Sequence, residues 1–121
     1  MSSRLQTIDD RTWADFRDAP AAVLVLARED CPHCRAWSDE LADFLEQDTE
    51  WTHVRFGKVF LDGDDIDVFQ QENGDWLDIV PGVPFNAIFR DGQPLTSMAG
   101  GGVKRLVRRL QRRLSDTNES D

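Results

Sequence analysis

Residues Ala21–Arg35 read AAVLVLAREDCPHCR: seven apolar residues in a row, three charged ones, then the chain's only two cysteines, Cys31 and Cys34. An unbroken apolar run of this length, ended by polar residues, predicts a central strand covered on both faces. From Pro32 the period changes, and Cys34, Trp37, Leu41, Phe44 and Leu45 recur at helical spacing to about Gln47. Proline suits the first position of that helix, where its missing N–H would have had no partner. A strand therefore leads into a helix, and both cysteines sit on the join.

The pair admits several chemistries. Covalent haem attachment needs C-x-x-C-H, and the residue after Cys34 is Arg35. Structural zinc needs four ligands, whereas the chain offers Cys31, Cys34, His33 and His53, with His33 in a turn too short for three of them to converge readily. An iron–sulfur cluster shared across a dimer is a further alternative. The local physics supports a redox couple. Just before the helix, Cys31 aims its sulfur at the first free backbone N–H groups, where the positive end of the helix favours thiolate. Cys34, one turn inside, is placed to attack a mixed disulfide formed at Cys31. A cationic or hydrogen-bonding His33 stabilises that thiolate and hence the reduced form; an ordinary exposed residue at the helix start is the plainer reading. Asp30 opposes a second negative charge beside it.

Outward from this unit, Thr7-x-x-Asp10 loosely resembles a capping box opening a short helix with Trp13 and Phe16, which stops before Pro20. Val54–Leu61 reads as a strand. Asp64 or Asp65 is expected to cap a short helix holding Ile66, Val68 and Phe69, with Asn73–Gly74 ending it. Phe85–Arg90 predicts a third strand, and Asp91–Gly92 a hairpin into a fourth around Leu95–Ala99. After Gly100–Gly102 comes an amphipathic helix with Val103, Leu106, Val107, Leu110 and Leu114 on one face. The order is α-β-α-β-α-β-β-α. Trp13, Trp37 and Trp51 read as core or core-edge residues; Trp76 reads as packing or as part of an exposed substrate patch.

With 121 residues the chain fits a single domain over 1–121, its core from about 7 to 114 and Ser115–Asp121 a frayed polar tail. Such a core needs no disulfide or metal as a staple. No apolar run reaches the roughly 20 residues of a membrane span, and Met1–Asp10 lacks the apolar segment of a secretory signal, so the expected compartment is the cytoplasm. There a close cysteine pair points to catalysis or metal rather than to a structural bridge. The formal charge of -9 disfavours nucleic acid as a partner. With 17 Asp against 6 Glu and 12 Arg against 2 Lys, the composition resembles that of proteins from salt-loving organisms, with an ordinary acidic cytosolic protein as the alternative.

The strand-CxxC-helix unit, the pair Val83–Pro84 within PGVPFNAIFRDGQ and the Asp91–Gly92 turn resemble, in that order, a thioredoxin-like protein. The resemblance covers Ala21–Leu114 and implies an α/β fold: a central mixed β-sheet flanked by helices in three α/β/α layers. It further implies a cis peptide bond before Pro84, a Pro84 loop that faces the cysteines, and a Val83 backbone that pairs with substrate peptide. Val83 and Pro84 then complete the active site with Cys31 and Cys34; a bland turn proline is the alternative for Pro84. Three departures stand out. The C-P-H-C motif is not the W-C-G-P-C of ordinary thioredoxins and resembles that of the periplasmic oxidase DsbA, but the stretch between Leu61 and Pro84 has no room for that oxidase's helical insertion. Val25 occupies the position of the family's buried aspartate, which leaves Lys58, matching the family's lysine, without its acidic partner. Phe85 stands where threonine is usual.

The expected function is thiol–disulfide oxidoreduction through Cys31 and Cys34, tuned by Pro32 and His33. The expected partners are disulfide- or dithiol-containing proteins, with a reductase or thiol pool as electron donor. No cofactor, metal, nucleic acid or membrane is implied, and a monomer is expected. The alternative is a binding or adaptor module using the basic face Lys104, Arg105, Arg108, Arg109, Arg112 and Arg113; a solvated face is the plainer reading of those residues.

Overall fold

The computed structural model describes residues 4–114, so the tail Ser115–Asp121 lies outside the described residues. The elements run β1 (Leu5–Thr7), α1 (Trp13–Arg17), β2 (Ala21–Ala27), α2 (Pro32–Gln47), β3 (Arg55–Phe60), α3 (Asp67–Leu77), β4 (Phe85–Arg90), β5 (Gln93–Ala99) and α4 (Val103–Arg113). The sheet order is β1-β3-β2-β4-β5. Strands β1, β3 and β2 are parallel, β4 is antiparallel to β2, and β5 to β4.

Every residue of β2 is buried, as its apolar run predicts. Because side chains alternate along a strand, Ala21, Val23 and Val25 pack with Trp37, Leu41 and Leu45 of α2 and with Leu106 and Leu110 of α4. Ala22, Leu24 and Leu26 face the other way, against Trp13 and Phe16 of α1 and Phe69 of α3. The result is a three-layer α/β/α sandwich around a mixed sheet. Each fully buried leucine or phenylalanine contributes roughly 1.5–3 kcal/mol before ordering costs, and β2 supplies both cores at once.

The hairpin between β4 and β5 is a two-residue turn in which Arg90 pairs with Gln93. Asp91 and Gly92 both adopt positive φ (54° and 80°), the requirement of the tight turn that Asp–Gly serves best. Edge strand β5 carries Pro94 and a register shift opposite Ile88 and Phe89, features that discourage pairing with another chain.

The first strand departs from the sequence reading, which placed no strand before α1. Leu5–Thr7 pairs with Phe56–Lys58, and three residues of mixed polarity carry no periodic signal of their own. Thr7 ends β1 and caps nothing. The reciprocal turn lies two residues later: Asp9 N–H donates to Thr12 Oγ1 at 2.9 Å, and Thr12 N–H donates to Asp9 Oδ1 at 3.2 Å. Buried Trp13 donates Nε1–H to Glu72 Oε1 at 2.8 Å, tying α1 to α3. That bond, with Arg17 alongside, holds the Glu72 carboxyl below its usual range.

Helix α3 differs at both ends. Neither Asp64 nor Asp65 caps it; the Asp10 carboxylate does, accepting from the backbone N–H of Asp67, Val68 and Phe69 at 3.1, 2.9 and 3.3 Å. Nor do Asn73 and Gly74 terminate it. Buried Asn73 satisfies itself within the helix, donating to Phe69 O and accepting from Trp76 Nε1, and so the helix continues to Leu77. Asp10→Ala is expected to cost about 1–2 kcal/mol, since it removes the partner of several free helix N–H groups. Urea unfolding of the two proteins measures this directly. An unchanged midpoint would mean that water caps α3 equally well.

Candidate active site

Pro32 occupies the first turn of α2, with Cys31 as the residue before it in extended conformation (φ -114°, ψ 104°). This geometry turns the Cys31 sulfur back over the helix start, where it accepts the backbone N–H of Cys34 at 3.1 Å. Cys31 and Cys34 are joined as a disulfide with their Cα atoms 5.2 Å apart. Cys31 is half-buried, whereas Cys34 is 2% exposed. Only one sulfur is therefore accessible to a bulky partner. The loop before them is held by Asp62, whose carboxylate accepts from Glu29 N–H at 3.0 Å.

The peptide bond between Val83 and Pro84 is cis. With His33, Trp37 and Glu40 of α2 and the Gly100–Gly102 run they line an open groove of about 450 Å³. His33 and Pro32 are exposed. His33 opens onto this groove, away from the cavity behind the sulfurs. Gly101 belongs where it is because a Cβ there would come within 3.0 Å of the Trp37 ring. Glu40 Oε2 accepts from Val103 N–H at 3.0 Å and so caps the start of α4 across the groove.

Asn86 is a site-supporting residue that the sequence reading missed. It is fully buried in β4, and its Oδ1 accepts Trp37 Nε1–H at 2.8 Å. Its Nδ2 donates to Met98 O at 2.9 Å and to Gly100 O at 2.7 Å. One amide thus fixes the indole on α2 and the glycine run at the end of β5, two walls of the groove. A polar residue in an apolar strand was the available signal, but its partners lie in other elements.

Behind the sulfurs lies a second cavity, of about 270 Å³, reached by Cys31, Cys34, Ser38 and Lys58. Lys58 pairs with Val25 in the parallel register of β3 and β2. Its ammonium stands 4.9 Å from the centre of the Phe60 ring. Phe85 is half-buried and packs against the core on the α1–α3 side. Trp76 is also half-buried there, its ring edge-on to Phe89 at 6.3 Å. On α4, two cations of the basic face serve the fold: Arg105 and Arg109 donate to the carbonyls of Gly101 and Ser97 at 3.0 and 2.8 Å. Among the described residues, no group of three or more His, Cys, Asp or Glu is arranged to hold a metal ion, and no helix is long and apolar enough to cross a membrane.

Neither a protein-family model nor a curated protein sequence matches the chain. Solved structures do. A thioredoxin of Malassezia sympodialis superposes with a TM-score of 0.71 at 18% identity, over 93% of this chain and 92% of its own. Thioredoxin f2 of Chlamydomonas reinhardtii gives 0.69 at 22% identity, over 89% of this chain and 94% of its own. A thioredoxin of Nicotiana alata gives 0.71 at 18% identity, over 93% and 95%. The chain has the thioredoxin fold, with its cysteine pair at disulfide distance on the strand-to-helix junction.

Proposed function

We propose that this thioredoxin-fold chain is a thiol–disulfide oxidoreductase, and the asymmetry of the cysteine pair carries the proposal. Cys31 is the accessible sulfur, seated on the N-terminus of α2 with a backbone N–H directed at it. Both features favour the thiolate when the pair is reduced. Cys34 is buried one turn away, within bonding reach of Cys31 and shielded from other partners.

In the reductive direction the Cys31 thiolate attacks a target disulfide, and one target sulfur leaves as a thiolate that takes up a proton. Cys34 then attacks Cys31, forming the intramolecular disulfide and releasing the second target sulfur. Run backwards, the same steps oxidise a dithiol. The groove formed with Val83 and Pro84 seats an extended segment of the target, whose backbone pairs with Val83 while its sulfur meets Cys31. Pro32 sets the helix start, and His33 stands at the groove edge. Substrates are disulfide- or dithiol-containing proteins, and a reductase or thiol pool supplies electrons to the monomer.

The test is catalysis in both directions. Small amounts of the chain should accelerate reduction of a disulfide-bonded protein by dithiothreitol and oxidation of a reduced one by oxidised glutathione. The faster direction identifies the role. Absence of acceleration in either would contradict the proposal.

A further inference from the structure

Helix α4 buries Leu106 and Leu110 completely in the core that it shares with α2 and β2. Six of its eleven residues are cations and none is acidic, in a chain whose formal charge is -9. Lys104, Arg105, Arg108, Arg109, Arg112 and Arg113 recur at spacings of three and four, where like charges repel one another. Arg112 and Arg113 suit the negative end of the helix, but Lys104 and Arg105 stand in its first turn, where positive charge is disfavoured. Nor is the repulsion relieved from within. Among the described residues, no carboxylate forms an ion pair with any of the six. Favourable helix-end electrostatics therefore account for the last turn of α4 and leave the rest of the cationic face unexplained.

The face is preformed and adjoins the groove. Arg105 and Arg109 are held by their bonds to the carbonyls of Gly101 and Ser97, and each guanidinium keeps further N–H donors. With Arg108 and Arg112 they surround a cavity of about 230 Å³ lined by arginine alone. Planar guanidinium groups match carboxylates two hydrogen bonds at a time. At a rise of about 1.5 Å per residue, Arg105 and Arg112 lie about 10 Å apart along the helix, the reach of about three extended residues. Arg105 also lies against the glycine run: a Cβ on Gly100 would come within 3.5 Å of its Nη1, and one on Gly102 within 3.4 Å of its Cδ. Gly100–Gly102 line the groove with Val83 and Pro84. The cationic face thus starts at a wall of that groove.

We propose that this face docks an acidic segment of the protein whose disulfide is exchanged, an inference that rests on the exchange reading above. An acidic target is repelled by an acidic molecule at large and attracted by α4, so encounters are steered with α4 foremost and the groove beside it. Target carboxylates pair with the arginines while the target sulfur meets Cys31. Other polyanions fit less well. The leucines of α4 are buried, which leaves no strongly apolar face to enter a lipid surface. The helix carries no aromatic side chain on which a base could stack, and the overall charge of -9 opposes a phosphate backbone.

The experiment compares kcat/KM for reduction of two synthetic peptides, with dithiothreitol as electron source. Each contains one intramolecular disulfide, flanked on both sides by runs of glutamate in one peptide and of glutamine in the other. In dilute buffer the unsubstituted protein should favour the glutamate peptide about tenfold. The preference should shrink below about twofold in about 1 M salt, where the screening length is about 3 Å. Arg108→Gln/Arg112→Gln changes two side chains that have glutamine, a good helix former, as replacement, and should reduce the preference to about twofold. Arg11→Glu alters the formal charge equally in the exposed turn before α1, whose Trp13 and Phe16 pack on the opposite face of the sheet from α4, and should retain it. Equal rates on both peptides, or an equal loss of preference in Arg11→Glu, overturn the docking face and leave the exchange reading standing. So does a face that instead retains duplex DNA, anionic vesicles or a second copy of the chain, with no preference between the peptides. Failure to reduce either peptide overturns both readings.

Discussion

Cys31→Ser should abolish disulfide exchange, a fall of at least about a thousandfold in catalysed reduction, while Cys34→Ser should leave the chain joined to its target. The difference follows from burial. Cys31 is the sulfur that a protein substrate can reach, and Cys34 lies behind it at 2% exposure. Without Cys34, the first attack still forms a bond between Cys31 and the target, but nothing inside the protein displaces it. Cys34→Ser should therefore accumulate a mixed disulfide, seen on a non-reducing gel as a band at the summed mass that disappears with dithiothreitol. Cys31→Ser should give no such band. Equal trapping by both variants would mean that the two sulfurs are equally accessible, contrary to the geometry.

The second large effect lies away from the sulfurs. Asn86→Ala leaves Trp37 Nε1 and the carbonyls of Met98 and Gly100 without the partner that the amide supplies. Buried polar groups left unpaired cost about 1–3 kcal/mol each. Some relaxation is expected, so the total should be about 3 kcal/mol, or a melting temperature lower by roughly 10–15 °C. Trp37→Phe removes the indole donor alone and should cost less. The double variant should cost less than the sum, because both changes remove the same bond. Trp37 and Gly100 also wall the groove. Asn86→Ala should consequently exchange disulfides more slowly than its folded fraction accounts for. A melting temperature within about 2 °C of the parent would show that the amide is replaceable.

The fold was legible where burial is continuous or periodic. The apolar run Ala21–Ala27 and the helical spacing from Pro32 fixed β2 and α2 at their observed bounds, and Asp91–Gly92 fixed the hairpin. Features made by one distant partner were not legible. Strand β1 exists through pairing with β3, and α3 begins at Asp67 because Asp10, 57 residues earlier, accepts from its N-terminus. Asn73–Gly74 looks like a helix stop in sequence, but the Asn73 amide has partners within the helix, and a glycine with open space around it costs only about 1 kcal/mol there. The site divides in the same way. The cysteines and Val83–Pro84 announce themselves by residue type and order. Asn86 becomes visible only when the strands and helix around it bring partners to its polar atoms.

The reversible redox chemistry of the Cys31–Cys34 couple is measured by equilibrating the protein in graded glutathione or dithiothreitol buffers and counting free thiols by alkylation mass shift. One two-electron transition is expected, both thiols appearing together, with a potential between about -270 mV, where thioredoxin lies as a reductant, and about -120 mV, where DsbA lies as an oxidant. A pair that never closes, or that neither buffer opens, would contradict disulfide exchange through Cys31 and Cys34.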